Sequence, residues 1–244
     1  MPSKRYLSIL SVCLFTLFVP SLCLHSSCKN NEYENNTIYI VLLLPKDNRF
    51  LASHNKVRPV IQLSIERIHQ MNLLPGWKFN YVFVDTGCDV DYGIWAAIKS
   101  YVEKPVHLFL GPFCDYITAP VARLAKFFKI PLLTPAALAD DFTSREKRSN
   151  SSEYHMLVKP GWSFSDMAKA LEKLFQRYGW HKLLFVYDMN GREEMAKHDY
   201  CMLAIKALHD TFFAKTNCTL NQKKLKKSQS HEDLLRNEVG DDYA

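Results

Sequence analysis

Strand-like apolar runs alternate along this chain with residues recurring at helical spacing, and that alternation limits the available folds more than any other feature. Ile38 to Leu44 (IYIVLLL) is one such run. Pro45 ends it, and beyond the polar turn Lys46-Asp47-Asn48-Arg49 the residues Val57, Val60, Ile61, Ile65 and Ile68 repeat with helical period. The pattern returns at Lys78 to Val84 (KFNYVFV), followed by Ile94, Ala97, Ile98 and Tyr101. It returns again at Val106 to Leu110, followed by Val121, Leu124, Ala125 and Phe128, and Ile130 to Thr134 reads as a further short strand. Uninterrupted apolar strands are those covered on both faces, and strand-helix alternation implies a parallel sheet with right-handed crossovers. The expected fold class is α/β.

The segment from Leu108 to Arg123 (LFLGPFCDYITAPVAR) joins a strand, a tight turn at Gly111-Pro112 and a helix start, with Cys114 at the junction. Open α/β sheets bind ligands at such carboxyl-end turns. The backbone N–H groups of the turn also suit an anion without any charged side chain.

Five blocks extend this reading: VLLLPKDN (Val41 to Asn48), VRPVIQLSIE (Val57 to Glu66), LLPGW (Leu73 to Trp77), LGPFCDYITAPVARLA (Leu110 to Ala125) and IPLLTPAALADDF (Ile130 to Phe142). In order and spacing they resemble the first lobe of natriuretic peptide receptor ectodomains, part of the wider type 1 periplasmic-binding-protein-like family. The resemblance continues more thinly through Tyr154 to Pro160, Gly179-Trp180 and Leu183 to Tyr187. It implies a Rossmann-like parallel sheet with flanking helices, and noncovalent binding of a peptide hormone. It also points to Tyr116 and Arg123 on the helix after the turn as ligand contacts, with Asp89 and Asp91 as partners for a basic peptide. For the two carboxylates a solvated loop is the rival explanation.

The same resemblance implies a buried chloride, held by the N–H groups of Phe113 and Cys114 and the hydroxyl of Thr86. The family usually has Ser at the hydroxyl position and a smaller residue than Phe113, and the alternative reading is that these groups cap the helix. Cys88 follows the second strand and Cys114 the third, so adjacent parallel strands would bring them to one sheet edge. A Cys88–Cys114 disulfide is expected, and the resemblance implies the same pair.

The compartment is read from the N-terminus. Lys4 and Arg5 precede the apolar Leu7 to Val19, with small residues at Ser21 and Cys23, which is the pattern of a signal peptide over residues 1–23. Its loss leaves five of the seven cysteines, an odd number for an oxidising compartment. Cys201 with Cys218 is a candidate second pair, and Cys28 is left unpaired or intermolecular. Asn35, Asn150 and Asn217 each open an Asn-X-Ser/Thr triplet in a polar segment, matching export and glycosylation. No second apolar run approaches the length of a membrane span. The chain is therefore expected to be secreted, or to lie on the extracellular side of the plasma membrane within a longer receptor.

Residues 24–36 read as a linker and 37–152 as the first ligand-binding lobe, closed by the charged stretch from Thr143 to Ser152. A crossover and incomplete second lobe follow over 153–216. Met156 to Lys159 is its connecting strand, the stripe Phe164, Met167, Ala168, Leu171, Leu174, Phe175 and Tyr178 a long helix, Lys182 to Tyr187 a strand, and Lys197 to Phe213 another helix. Trp77 and Trp180, each after a turn glycine, read as aromatics closing the end of a core. Residues 217–244 read as a charged, disordered tail, and the chain as truncated relative to the family.

Catalytic signatures are missing: no Walker loop, dinucleotide glycine motif, nucleophile elbow or His-Glu-x-x-His. His198 and His209 read as exposed polar positions, so no metal site and no cofactor beyond the chloride are expected. The net charge of +6 collects in Lys223 to Lys227 and Arg145 to Arg148 without aromatic interleaving, which argues against nucleic acid. The expected partners are a peptide hormone and a second receptor copy, as a homodimer or paired with a full-length receptor. The rivals are a lobe binding an amino acid or other small ligand, a secreted α/β hydrolase, and a gene fragment without function.

Overall fold

Strand β1 (Thr37–Leu44) is an interior strand of the first sheet, paired in parallel with a neighbour on each side. β2 (Lys78–Asp85) runs along its full length, from Thr37 opposite Lys78 to Leu44 opposite Asp85. On the other side lies β3 (Leu108–Leu110), with Ile40 opposite Leu108. β4 (Leu132–Leu133) and β5 (Leu157–Val158) complete a five-stranded parallel sheet of order β2-β1-β3-β4-β5. The computed structural model describes residues 36–142, 152–197, 200–215, 219–225 and 230–240.

The two sheet faces are covered differently. Val41, Leu43, Val82, Val84, Phe109 and Leu132 point to one face and meet α2 (Val90–Glu103) and α3 (Asp115–Phe128) through Ala96, Ala97, Ile117, Val121 and Ala125. Helix α2 approaches α3 closely at Gly93, where an added Cβ would lie 2.2 Å from Ile117 Cγ2. The opposite face carries α1 (His54–Gln70), which has no fully buried residue. Rings and charges seat it on β2: His54 lies 5.0 Å from the Phe83 ring, Arg58 4.8 Å over the same ring, and His69 5.8 Å from Phe79.

The second lobe begins with α4 (Phe164–Tyr178). Ser163 and Asp166 form a reciprocal cap at its start, and Gly179, at φ 66°, ends it in the left-handed conformation that glycine adopts without strain. β6 (Lys182–Tyr187), the short turn α5 (Glu193–Ala196) and α6 (Tyr200–Lys215) follow. Ala168, Leu183, Leu208 and Phe212 form its small core, where Phe175, Phe185 and Phe212 meet edge to face.

Several expectations are corrected here. The tail expected to be disordered from 217 onward contains β7 (Thr219–Lys224), parallel to β6, and a helical segment α7 (His231–Leu234) running into a π turn over Leu235–Val239. Leu220 packs on the second-lobe core while lysines stay at the solvated edge, which is how an edge strand tolerates charge. The helix expected from Lys197 starts at Tyr200. Trp77, 40% exposed, closes no core, whereas Trp180, 49% exposed, stacks on Tyr178 and meets Phe175 of the second-lobe core edge to face at 5.1 Å. The signal-peptide segment, Cys28, Asn35, Asn150, Asn217 and Cys218 lie outside the described residues.

Candidate functional site

The turn after β3 is shaped by Gly111. Its φ of 96° favours glycine, and a Cβ there would stand 2.4 Å from the carbonyl oxygen of Leu43 on β1. Two constraints, backbone conformation and strand contact, therefore fix this residue. The chain passes a cis Gly111-Pro112 bond and enters α3 with Cys114 at its N-cap. Pro112 is held from two sides, its carbonyl accepting from the hydroxyls of Thr134 (2.7 Å) and Thr118 (3.4 Å).

Cys114 is bonded to Cys88, with Cα atoms 5.8 Å apart. The route to this bridge differs from the expected one. β2 and β3 are not neighbours, because β1 lies between them. The bridge instead crosses the carboxyl end of β1, joining the two turns that open α2 and α3. Asp89, the residue after Cys88, caps α2: its Oδ1 accepts from the N–H groups of Asp91 (3.0 Å) and Tyr92 (3.2 Å).

Above this edge lies a cavity of about 340 Å³ with walls from both lobes. Asp89, Asp91, Asp115 and Tyr116 line the first-lobe side, and Lys197, Tyr200 and Leu203 the other. Lys197 Nζ donates across it to the carbonyl oxygen of Gly87 at 3.1 Å, and Leu203 packs against the first-lobe core. Tyr116 lines the cavity and is 46% exposed.

Asp115 is partly buried at the start of α3. Its Oδ1 accepts the Leu138 N–H at 2.7 Å. Burial pushes its carboxyl up to about 6, against the opposing pull of the Leu138 and Ala139 N–H groups and of Lys159. Burial and the neighbouring Asp115 charge also raise the Tyr200 phenol. Asp115, Lys197 and Tyr200 escape the sequence reading. An acid at a helix start reads as a favourable partner for the helix dipole, and nothing local reveals that a distant tyrosine lines the same cavity.

The expected site residues therefore divide. Tyr116, Asp89 and Asp91 meet at the cleft beside the disulfide. Arg123 lies away from it, donating through Nε to Glu153 (2.9 Å) and through its terminal nitrogen to the Tyr154 hydroxyl (3.0 Å). It ties α3 to the segment leading into β5. Thr86 is fully buried, and its hydroxyl has no hydrogen-bond partner among the described residues. Phe113 is partly buried on the first-lobe core. Cys201 is a free thiol whose Sγ donates to the Gly191 carbonyl at 3.1 Å, and its expected partner Cys218 lies outside the described residues.

Residues 56–239 match the family model described as the receptor family ligand binding region, the ANF receptor family. The chain belongs to this family. Within the ANF receptor family it is 28% identical over 184 residues to atrial natriuretic peptide receptor 3 of Homo sapiens, covering 72% of this chain and 32% of that receptor. It is 25% identical over 171 residues to a receptor-type guanylate cyclase of Caenorhabditis elegans, covering 70% of this chain and 14% of that protein. The chain thus spans about a third, or less, of the curated relatives it matches. Among solved structures, an ABC transporter substrate-binding protein from Desulfitobacterium hafniense shares the fold with a TM-score of 0.63 at 17% identity, over 85% of this chain and 55% of that one. The fold is therefore periplasmic-binding-protein-like. The matched part of the family is its ligand-binding region, and among the described residues no helix is long and apolar enough to cross a membrane.

Proposed function

We propose that this ANF-receptor-family ligand-binding region binds a peptide hormone noncovalently on the extracellular side of the membrane. The observation that carries the reading is the exposed Tyr116 ring beside Asp89 and Asp91 at the carboxyl end of the sheet. An aromatic anchor flanked by carboxylates suits a basic, aromatic-bearing peptide. Relatives named as atrial natriuretic peptide receptors support that ligand class.

Chloride belongs to the same reading. The orphaned hydroxyl of Thr86 is a buried donor in want of an acceptor, and the Cys114 N–H opens a helix. With the Phe113 N–H they would hold an anion at the base of the turn, stabilising it without a charged side chain. Pairing with a second receptor copy is supported by the apolar residues that α1 and α2 leave exposed, including Leu63, Val60 and Trp95. Secretion and glycosylation at Asn35, Asn150 and Asn217 complete the proposal.

A second reading rests on the cleft having walls from both lobes: a small ligand would contact Asp115 and Tyr200 together. Thermal unfolding of the secreted, glycosylated chain with ring-closed natriuretic-type peptides tests the first reading. A peptide-specific rise in midpoint supports it, and no shift at saturating peptide sinks it.

A further inference from the structure

We infer that Asp115 makes closure of the interlobe cleft proton-dependent, with acid favouring the closed arrangement. The inference does not depend on which ligand the cleft takes, and it stands if the peptide reading fails.

Three observations place Asp115 at the boundary between the lobes. It sits at the N-terminus of α3 in the first-lobe wall, facing Tyr200 of α6 in the second. Contacts that α6 and its approach make with the first lobe, Leu203 on the core and Lys197 on the Gly87 carbonyl, hold that wall in place. The loop bonded to Asp115 also leads to the second lobe: the Leu138 carbonyl accepts the Phe164 N–H at 2.9 Å, at the start of α4. Opening of the cleft would withdraw Tyr200 and return water to the carboxyl.

The direction follows from linkage. In the closed form burial lifts the carboxyl from the ordinary 3.8 to about 6, whereas a carboxyl rehydrated by opening returns toward 3.8. The closed form thus binds the proton more tightly, and falling pH draws the equilibrium toward it. Between these limits the closing constant changes by up to about 100-fold. The charged and titratable groups around Asp115 come from every packed element: Asp89 and Asp91 from the α2 turn, Tyr116 beside it, Lys159 after β5, Lys197 after α5, and Tyr200 on α6. The Leu138 and Ala139 N–H groups and Lys159 oppose the rise, and burial outweighs them. A chloride at Cys114 would add to it.

Amide hydrogen exchange of the full chain, corrected for intrinsic rates and run at constant chloride between about pH 5 and pH 7.5, tests the inference. The expected result is protection over Tyr200–Leu203 and Leu138–Ala139 that rises several-fold as pH falls through about 6. In Asp115→Asn, which is neutral throughout, that protection is high and independent of pH. Flat protection in the wild type overturns the inference, and needs no variant to fold. Unchanged pH dependence in Asp115→Asn, or its loss in Asp89→Asn with Asp91→Asn, overturns it equally.

Discussion

Lys197 Nζ donates to the carbonyl oxygen of Gly87 at 3.1 Å, joining residues 110 apart in sequence across the interlobe cleft. Because the bond is exposed, its contribution to global stability is about 1 kcal/mol or less. Lys197→Met should leave the unfolding midpoint nearly unchanged while amide exchange at Tyr200–Leu203 quickens. Unaltered exchange would show that Leu203 alone holds the second-lobe wall.

Gly93 makes an opposite kind of prediction, about packing rather than polarity. Alanine is the better helix former, yet its Cβ would collide with Ile117 Cγ2 at 2.2 Å in the α2–α3 contact. Gly93→Ala should therefore destabilise by about 1–3 kcal/mol in denaturant unfolding. Adding Ile117→Ala to that variant should cost less than Ile117→Ala alone costs the wild type, because the new methyl fills space the isoleucine vacates.

How much of this was legible in the sequence follows from where each signal lies. Lys182–Tyr187 and Phe164–Tyr178 match their expected bounds because apolar runs and helical stripes are local. β7 was not legible: its sequence, TLNQKK, is polar, and it forms a strand because the edge of β6 accepts one. Strand order was equally hidden. Placing β1 between β2 and β3 depends on which crossover turns which way, so the Cys88–Cys114 pair was expected correctly but through a mistaken adjacency. Of the candidate site, Tyr116, Asp89 and Asp91 stand next to the turn that announces them. Arg123 shares their segment but is turned to Glu153 and Tyr154, partners from beyond the intervening polar stretch.

Removing the disulfide should matter more than any single cleft contact. The bridge spans a sequence separation of 26 and pins the two helix starts that form the first-lobe wall. By the loop-closure estimate, Cys88→Ser with Cys114→Ser should lose about 3 kcal/mol. The variant should unfold at a clearly lower midpoint and give weaker amide protection at the first turns of α2 and α3. An unchanged midpoint would mean that Gly111 and the Pro112 hydrogen bonds hold the edge unaided.

Tyr116→Ala tests the ligand reading at its anchor. The side chain is half exposed, so truncation should leave the midpoint of the free chain within about 0.5 kcal/mol of the wild type. A buried aromatic anchor is worth about 2 kcal/mol or more in binding, so titration with a ring-closed peptide should show affinity reduced by at least about tenfold. Equal affinity would remove Tyr116 from the site.

Stability should carry the mark of Asp115 over a definite pH window. Its folded-state carboxyl is raised to about 6 from 3.8, so the group's contribution is fully present below 3.8 and is lost as pH rises through 6. Asn at this position has no charge to bury, and comparing the two chains cancels the titration of every other group. Relative to Asp115→Asn, the wild type should therefore lose unfolding midpoint between pH 3.8 and about 6, then run parallel to it at higher pH. A difference that grows in favour of the wild type with rising pH would mean that the Leu138 and Ala139 N–H groups and Lys159 outweigh burial. The folded carboxyl would then titrate below its ordinary value.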